Sequence, residues 1–205
     1  QSGGQWTVLP STNVAPSARR FYEMASLGPG KVVLFGGYNG GQQLGDTWIF
    51  YQSSGWASDA ITPNSNTPSS RDGHAMASLE EGKVVMFGGK EGTHSNQVLG
   101  DTLVYDQSSK GWASIEIPPN MQAPSPRHGH AMSSMAAGKV VLFGGLDSGS
   151  QFLPDTWMYH RHSKTAWKWH LLTTQMASRT YHKMTSGLHN SIVLFGGRAK
   201  YQSGT

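Results

Sequence analysis

The sequence predicts an all-β chain made of four copies of one unit of about fifty residues, and three observations carry that prediction. Arg19, Arg71, Arg127 and Arg179 are each followed, sixteen residues later, by Phe-Gly-Gly, so successive units start 52, 56 and 52 residues apart. Each copy has Met five residues after its Arg (Met24, Met76, Met132, Met184). Each also has an apolar run before its glycines, as in Val84-Val85-Met86-Phe87. The composition fits a turn-rich protein: 26 of 205 residues are Gly and only 14% are charged, against ~25% in ordinary domains, so the surface relies on uncharged polar side chains.

The elements follow in order within a unit. Arg71 to Leu79 alternates small and larger side chains without a helical period, the pattern of a strand closely flanked on both sides. A turn comes next at Gly30, Gly82, Gly138 and Asn190. Asn is the residue that best replaces Gly where φ is positive, so the fourth copy predicts a left-handed turn residue at this position in all four. The β-branched run after it predicts a strand buried on both faces, and the double glycine allows a sharp change of direction. Beyond a loop of variable length, Asp46 to Phe50, Asp101 to Tyr105 and Asp155 to Tyr159 predict a third strand. A polar turn then leads to a fourth strand marked by Trp56, Trp112 and Trp167, and proline-bearing segments cross to the next Arg. Four antiparallel strands that cannot bury both faces alone describe one blade of a propeller, stacked on its neighbours.

The joint pattern of Arg-x-Gly-His, Val-Val-x-Phe-Gly-Gly, Leu44-Gly45-Asp46-Thr47-Trp48 and a late Trp resembles the kelch-repeat family over nearly the whole chain. The resemblance, which includes the central domain of galactose oxidase, implies an all-β, kelch-type β-propeller of four-stranded antiparallel blades. The chain reads as one partial propeller over 1–205, with units near 19–70, 71–126, 127–178 and 179–205. Residues 1–18 read as the outer strand of a preceding blade, because Gln1 to Trp6 parallels Gln52 to Trp56. About four blades are present, whereas kelch propellers commonly have six or seven. The expectation is therefore a fragment of a larger ring, or one completed by a partner, with a sheet edge open to β-pairing. The absence of an initiator Met fits a processed or partial chain.

The repeated Arg is the first candidate site. The resemblance implies that Arg19, Arg71, Arg127 and Arg179 lie near a channel mouth, where some kelch propellers hold acidic partners; guanidinium groups suit bidentate carboxylate contacts. The competing expectation, and the favoured one, is a structural clasp in which each Arg bonds loop carbonyls or the repeated Asp (Asp46, Asp101, Asp155) of a nearby unit. Three residues after each Arg stand Tyr22, His74, His130 and His182. A ring of imidazoles is a conceivable metal site, but Tyr breaks the set and packing, hydrogen-bonded histidines are the expected role. The stretch from His160 to His170 alternates base and aromatic and is expected to be a solvated outer face, with Trp167 or Trp169 filling a packing slot. The Met ladder is expected in the core. The loops Tyr38 to Gly45, Lys90 to Gly100 and Leu146 to Pro154 differ most among copies, so Tyr38 and Phe152 join the candidate binding residues.

Composition narrows the function. With no Cys there is no disulfide, thiolate site or cysteine nucleophile, and the cysteine-dependent copper radical chemistry of galactose oxidase is excluded for these residues. No nucleophile elbow or facing carboxylate pair is legible, so no catalytic residue, metal or cofactor is assigned. A formal charge of +4 spread along the chain argues against a nucleic-acid surface, and no apolar stretch reaches membrane-spanning length. The expected function is a non-catalytic, protein-binding or scaffolding propeller that uses its loops and channel mouth and takes a protein partner with an acidic segment. The alternatives are an extracellular structural or adhesive component that self-assembles through open blade edges, and a carbohydrate-binding or carbohydrate-active protein. The compartment is left open, with a lean to the extracellular side.

Overall fold

A computed structural model describes residues 14–58, 67–92, 97–136, 138–163, 166–173 and 176–199. The proposed outer strand at Gln1 to Trp6, most of the first proline-bearing crossing, and Lys164 and Thr165 lie outside the described residues. Every described element is a strand or a turn. The first sheet runs β1 (Glu23–Gly28), β2 (Lys31–Phe35), β3 (Thr47–Tyr51) and β4 (Gly55–Ser58), antiparallel and in chain order. The second comprises β5 (Arg71–Asp72), β6 (Ala75–Glu80), β7 (Lys83–Glu91), β8 (Gln97–Asp106) and β9 (Gly111–Ser114), with β7 pairing β6, β5 and β8. The third repeats the pattern as β10 (Ala131–Ala136), β11 (Lys139–Phe143), β12 (Thr156–Arg161) and β13 (Trp167–Leu172). A fourth unit contributes β14 (Arg179–Thr180), β15 (Lys183–Ser186), β16 (Ile192–Phe195) and β17 (Arg198–Ala199), with β15 pairing β16 and β14 pairing β17.

Equal spacing in sequence becomes equal register in space. Met24 pairs with Leu34, Met76 with Met86, Met132 with Leu142 and Met184 with Leu194. The turn between the two strands has positive φ in all four copies: Gly30 (67°), Gly82 (73°), Gly138 (69°) and Asn190 (57°). The Asn substitution is therefore conformational.

The inner strands β1, β6, β10 and β15 lie side by side in that order, and the core lies between blades. Val33, Phe35 and Ile49 of the first sheet pack against Val84, Met86, Leu103, Tyr105 and Trp112 of the second. The alternate residues Val85 and Phe87 pack against Val140, Leu142, Trp157, Tyr159 and Trp169 of the third. That is why the apolar run has no polar alternation: each of its faces meets a neighbour, and each large side chain so buried contributes about 1.5–3 kcal/mol. The ladder methionines Met76 and Met132 are buried, whereas Met24 is about half exposed. On the fourth unit, Phe195 is 84% exposed, although Phe35, Phe87 and Phe143 at the same motif position are buried.

The fourth-strand tryptophan is a tie between blades. Trp112 Nε1 donates to Thr47 Oγ1 of the preceding blade (3.1 Å), and Trp169 Nε1 does the same to Thr102 Oγ1 (3.0 Å). In the third unit the marker residue is thus Trp169 and not Trp167. The β12–β13 hairpin carries an additional Arg161–Trp167 pair, so Trp169 opposes Tyr159 as Trp112 opposes Tyr105. Trp167 instead stacks on Tyr159 and lies under the Arg161 guanidinium.

Candidate functional site

Each repeated Arg starts or precedes an inner strand and turns back into its own blade. Arg127 donates to both Asp155 carboxylate oxygens (2.7 Å each), to the Gly144 carbonyl (3.1 Å), and to the Ser125 carbonyl and hydroxyl. Arg71 repeats this arrangement with Asp101, Gly88 and Ser69, and Arg19 with Asp46, Gly36 and Ser17. The carboxylate comes from the same blade rather than a neighbouring one. A forked guanidinium meeting a carboxylate is the strong, planar form of this contact. Arg71 and Arg127 are fully buried. Burial alone would raise the Asp155 pKa, but hydrogen bonds from Arg127 and Trp157 outweigh it and hold the carboxyl below its ordinary value. Among the described residues Arg179 is held by the Ala177 and Gly196 carbonyls, at 3.4 and 3.2 Å, and by no carboxylate.

The double glycine joins this clasp to the next blade. Gly37, Gly89 and Gly145 each donate their N–H to the carbonyl of the following blade's Arg71, Arg127 or Arg179, at 2.9 Å. A Cβ on the preceding glycine, Gly36, Gly88 or Gly144, would stand 2.5–2.6 Å from that same carbonyl, so only glycine permits the approach.

His74, His130 and His182 fill the space beside these glycines. Each imidazole stands edge-on to the phenylalanine of the preceding blade, Phe35, Phe87 or Phe143, with ring centroids 5.4–5.7 Å apart. Neither ring nitrogen of the three makes a well-formed hydrogen bond within the protein. Burial, reinforced by Arg71, lowers the His74 pKa to about 3, and burial with Arg179 lowers His182 to about 4, so both rings are neutral at physiological pH. Among the described residues no group of three or more His, Asp or Glu side chains could hold a metal ion. No described helix is long and apolar enough to cross a membrane.

The three histidines, Tyr22, Phe21 and Tyr181 line one cavity of about 500 Å³ where the inner strands begin; the four arginines of the repeat are not part of that lining. Around it, the residue after each Arg pairs with the residue after Gly-Gly: Arg20 with Tyr38, Asp72 with Lys90, His128 with Leu146, Thr180 with Arg198. The next residue is left-handed in every copy, as Phe21 (φ 57°), Gly73 (65°), Gly129 (66°) and Tyr181 (57°). Backbone bonds tie these four together: Gly73 N–H to Phe21 O, Gly129 N–H to Gly73 O, and Tyr181 N–H to Gly129 O. Phe21 and Tyr181 are half exposed and face each other at 5.9 Å. Below them Lys183 Nζ reaches Glu23 Oε1 at 2.6 Å. Burial raises the Glu23 pKa, opposed by Lys183.

The candidate loop residues lie at this same end. Tyr38 pairs with Arg20 and Gln43 and holds the Arg20 guanidinium at 5.2 Å from its ring centroid; Phe21 holds it on another side at 5.3 Å. Phe152 is half-buried and pairs with Leu146 on the loop of the third blade. Sequence reasoning missed Arg20, Phe21 and Tyr181. Their signal was present, because Phe21 and Tyr181 replace the Gly of Arg-x-Gly-His in the two copies that depart from it.

Comparison with known proteins agrees with this architecture. Residues 2–135 match the model of the KLHDC2/KLHL20/DRC7 Kelch-repeats domain. An F-box/kelch-repeat protein of Arabidopsis thaliana is 32% identical over 190 residues, covering 83% of this chain and 38% of the relative. Adagio protein 3 of the same plant is 29% identical over 140 residues (65% of this chain, 23% of the relative). The tRNA wybutosine-synthesizing protein 4 of Aspergillus fumigatus is 27% identical over 194 residues (92% and 17%). The chain thus spans well under half of each of these relatives. Four units in one register, each with its Arg and double glycine and three of them closed by an Arg–Asp clasp, together with the family match over residues 2–135, show that the chain belongs to the kelch-repeat family.

Proposed function

We propose that the chain is a non-catalytic, protein-binding kelch propeller whose contact surface is the end where the inner strands begin, and that its units run near 19–70, 71–126, 127–178 and 179–205. One observation carries the reading: two large aromatic side chains, Phe21 and Tyr181, stand half exposed over a 500 Å³ cavity, beside loops that vary from copy to copy. A soluble surface keeps large apolar groups in such a position chiefly for recognition. Arg19, Arg71 and Arg127 serve this surface by fixing the strand starts, and the exposed Arg20 and Arg198 supply charge toward an acidic partner segment.

The test is a partner obtained by two-hybrid selection with the whole chain. Tyr38→Ala and Phe152→Ala should each weaken its binding at least fivefold, while Lys31→Ala at the opposite end leaves it unchanged. Equal losses at both ends would defeat the proposal. The uncovered Phe195 favours a second reading, self-association through the fourth blade. Light scattering that gives one mass across a hundredfold concentration range would dismiss it.

A further inference from the structure

We infer that Phe21 and Tyr181 form an apolar clamp at the cavity mouth that takes one aliphatic or aromatic side chain of a partner peptide, with Arg20 receiving a carboxylate next to it. The inference rests on the proposed binding surface and names what that surface recognises. The position two residues after each Arg is left-handed in all four units, and Gly73 and Gly129 occupy it as that conformation favours. Phe21 and Tyr181 hold it at a steric cost that glycine would not incur. Packing, including the contact of the two rings with each other, accounts for only about half of each side chain, since 47% of Phe21 and 48% of Tyr181 face solvent. A strained backbone that presents exposed aromatic rings over a cavity points to a binding role.

The surroundings fit one kind of occupant. The Tyr181 ring lies over Gly129, where a Cβ would collide first with Thr180 Oγ1 and then come within 3.2 Å of the ring's Cε1, so the glycine makes room for both. Across the mouth, a Cβ on Gly73 would stand in ordinary contact with His128 Cβ at 3.6 Å, so His128 lines that side and the room for an incoming side chain is the cavity below the two rings. The Tyr181 hydroxyl lies 3.5 Å from His128 Nδ1, and burial together with Lys90 holds His128 down to about 4, so this neighbour is uncharged. The acids nearby are engaged or sheltered. Asp72 is buried, Glu91 is half-buried, Glu23 is paired with Lys183, and Asp147 accepts the amides of Gly149 and Gln151. Among the described residues the exposed charge at the rim is therefore that of Arg20 and Arg198, which complements a carboxylate. Arg20 lies against the rings of Phe21 and Tyr38, so its planar fork is held in place before a ligand arrives.

A randomised heptapeptide phage library panned on the whole chain, followed by anisotropy titration of resynthesised hits, tests this. Hits should carry Phe, Leu, Trp or Met next to Asp or Glu. Phe21→Gly and Tyr181→Gly should each weaken them at least tenfold while leaving Tm unchanged or raised, because glycine suits the left-handed backbone. A fall in Tm of more than about 3 °C in either variant would show that the rings serve the fold and would overturn the inference. Basic hits would overturn it too. If Tyr38→Ala weakens the hits and Phe21→Gly does not, the clamp fails and the binding surface stands. If no peptide is retained, or none responds to any of these substitutions, both fail.

Discussion

Arg127 and Arg179 hold one motif position in two surroundings, and replacing each by Ala should separate them by about 2 kcal/mol or more. Arg127→Ala deletes five hydrogen bonds, takes from the Gly144 carbonyl its guanidinium donor, and leaves Asp155 with the Trp157 indole N–H but no paired cation. Removing one member of a buried ion pair costs about 3–5 kcal/mol. Asp155 keeps 26% side-chain exposure, so water recovers part of its solvation and the lower end, about 3 kcal/mol, is expected. Arg179 makes two long, exposed bonds to carbonyls, and its loss should cost about 1 kcal/mol or less. For a chain of this size 1 kcal/mol is roughly 2–4 °C in Tm, so differential scanning calorimetry should find a drop of about 6–12 °C for Arg127→Ala and under about 4 °C for Arg179→Ala. Arg127→Lys keeps the charge but not the fork and should fall between. Equal losses at the two sites, or less than about 1 kcal/mol at Arg127, would refute the view that the carboxylate clasp stabilises the blade.

The glycines, the tryptophan tie and the buried histidines give further tests. Gly88→Ala places a Cβ 2.5 Å from the Arg127 carbonyl in a left-handed backbone and should cost more than about 2 kcal/mol in urea unfolding. Gly40→Ala has positive φ but open space and should cost about 1 kcal/mol; similar values would count against the close-approach argument. Trp169→Phe should lose about 1 kcal/mol with its bond to Thr102, and Trp167→Phe about half that or less; the reverse order would return the packing slot to Trp167. His74 and His182 are held neutral, with pKa values of about 3 and 4 against 6.5 unfolded, so below pH 6.5 the unfolded state binds more protons. Keeping the rings neutral costs nothing above pH 6.5, and stability falls as pH drops below it, down to about 4 for His182 and about 3 for His74. The urea midpoint should decline over that window, and His74→Gln should flatten the decline; an unchanged slope would contradict the assignment.

The units, the strand order and the left-handed turn at Asn190 were legible in the sequence because each depends on backbone geometry that repeats at fixed spacing. The third-unit tryptophan was not. Trp167 and Trp169 are both plausible two residues apart on one strand, and only the hairpin register, set by the Arg161–Trp167 pair, distinguishes them. The direction of the arginine clasp was also hidden. Sequence spacing shows that Arg127 and Asp155 recur together, but not whether the bond closes within a blade or between blades. At the cavity mouth, the glycine of Arg-x-Gly-His announced a left-handed position, yet the meaning of Phe21 and Tyr181 there needed the neighbouring units in space. Reading the four copies against one another at that position would have exposed the two departures.

The bond from Gly89 N–H to the Arg127 carbonyl has a consequence for how such a chain can diverge. It joins main chain to main chain, so beyond the two glycines that permit the approach, the bond itself does not depend on which side chains stand at the rim. Mutation can rewrite the rim, as the sequence from Arg20-Phe21 through Asp72-Gly73 and His128-Gly129 to Thr180-Tyr181 illustrates, while the stacking stays in place. Each copy becomes a separately editable contact on a shared frame. Duplication of a unit followed by drift at its rim is then a direct route to a new recognition surface.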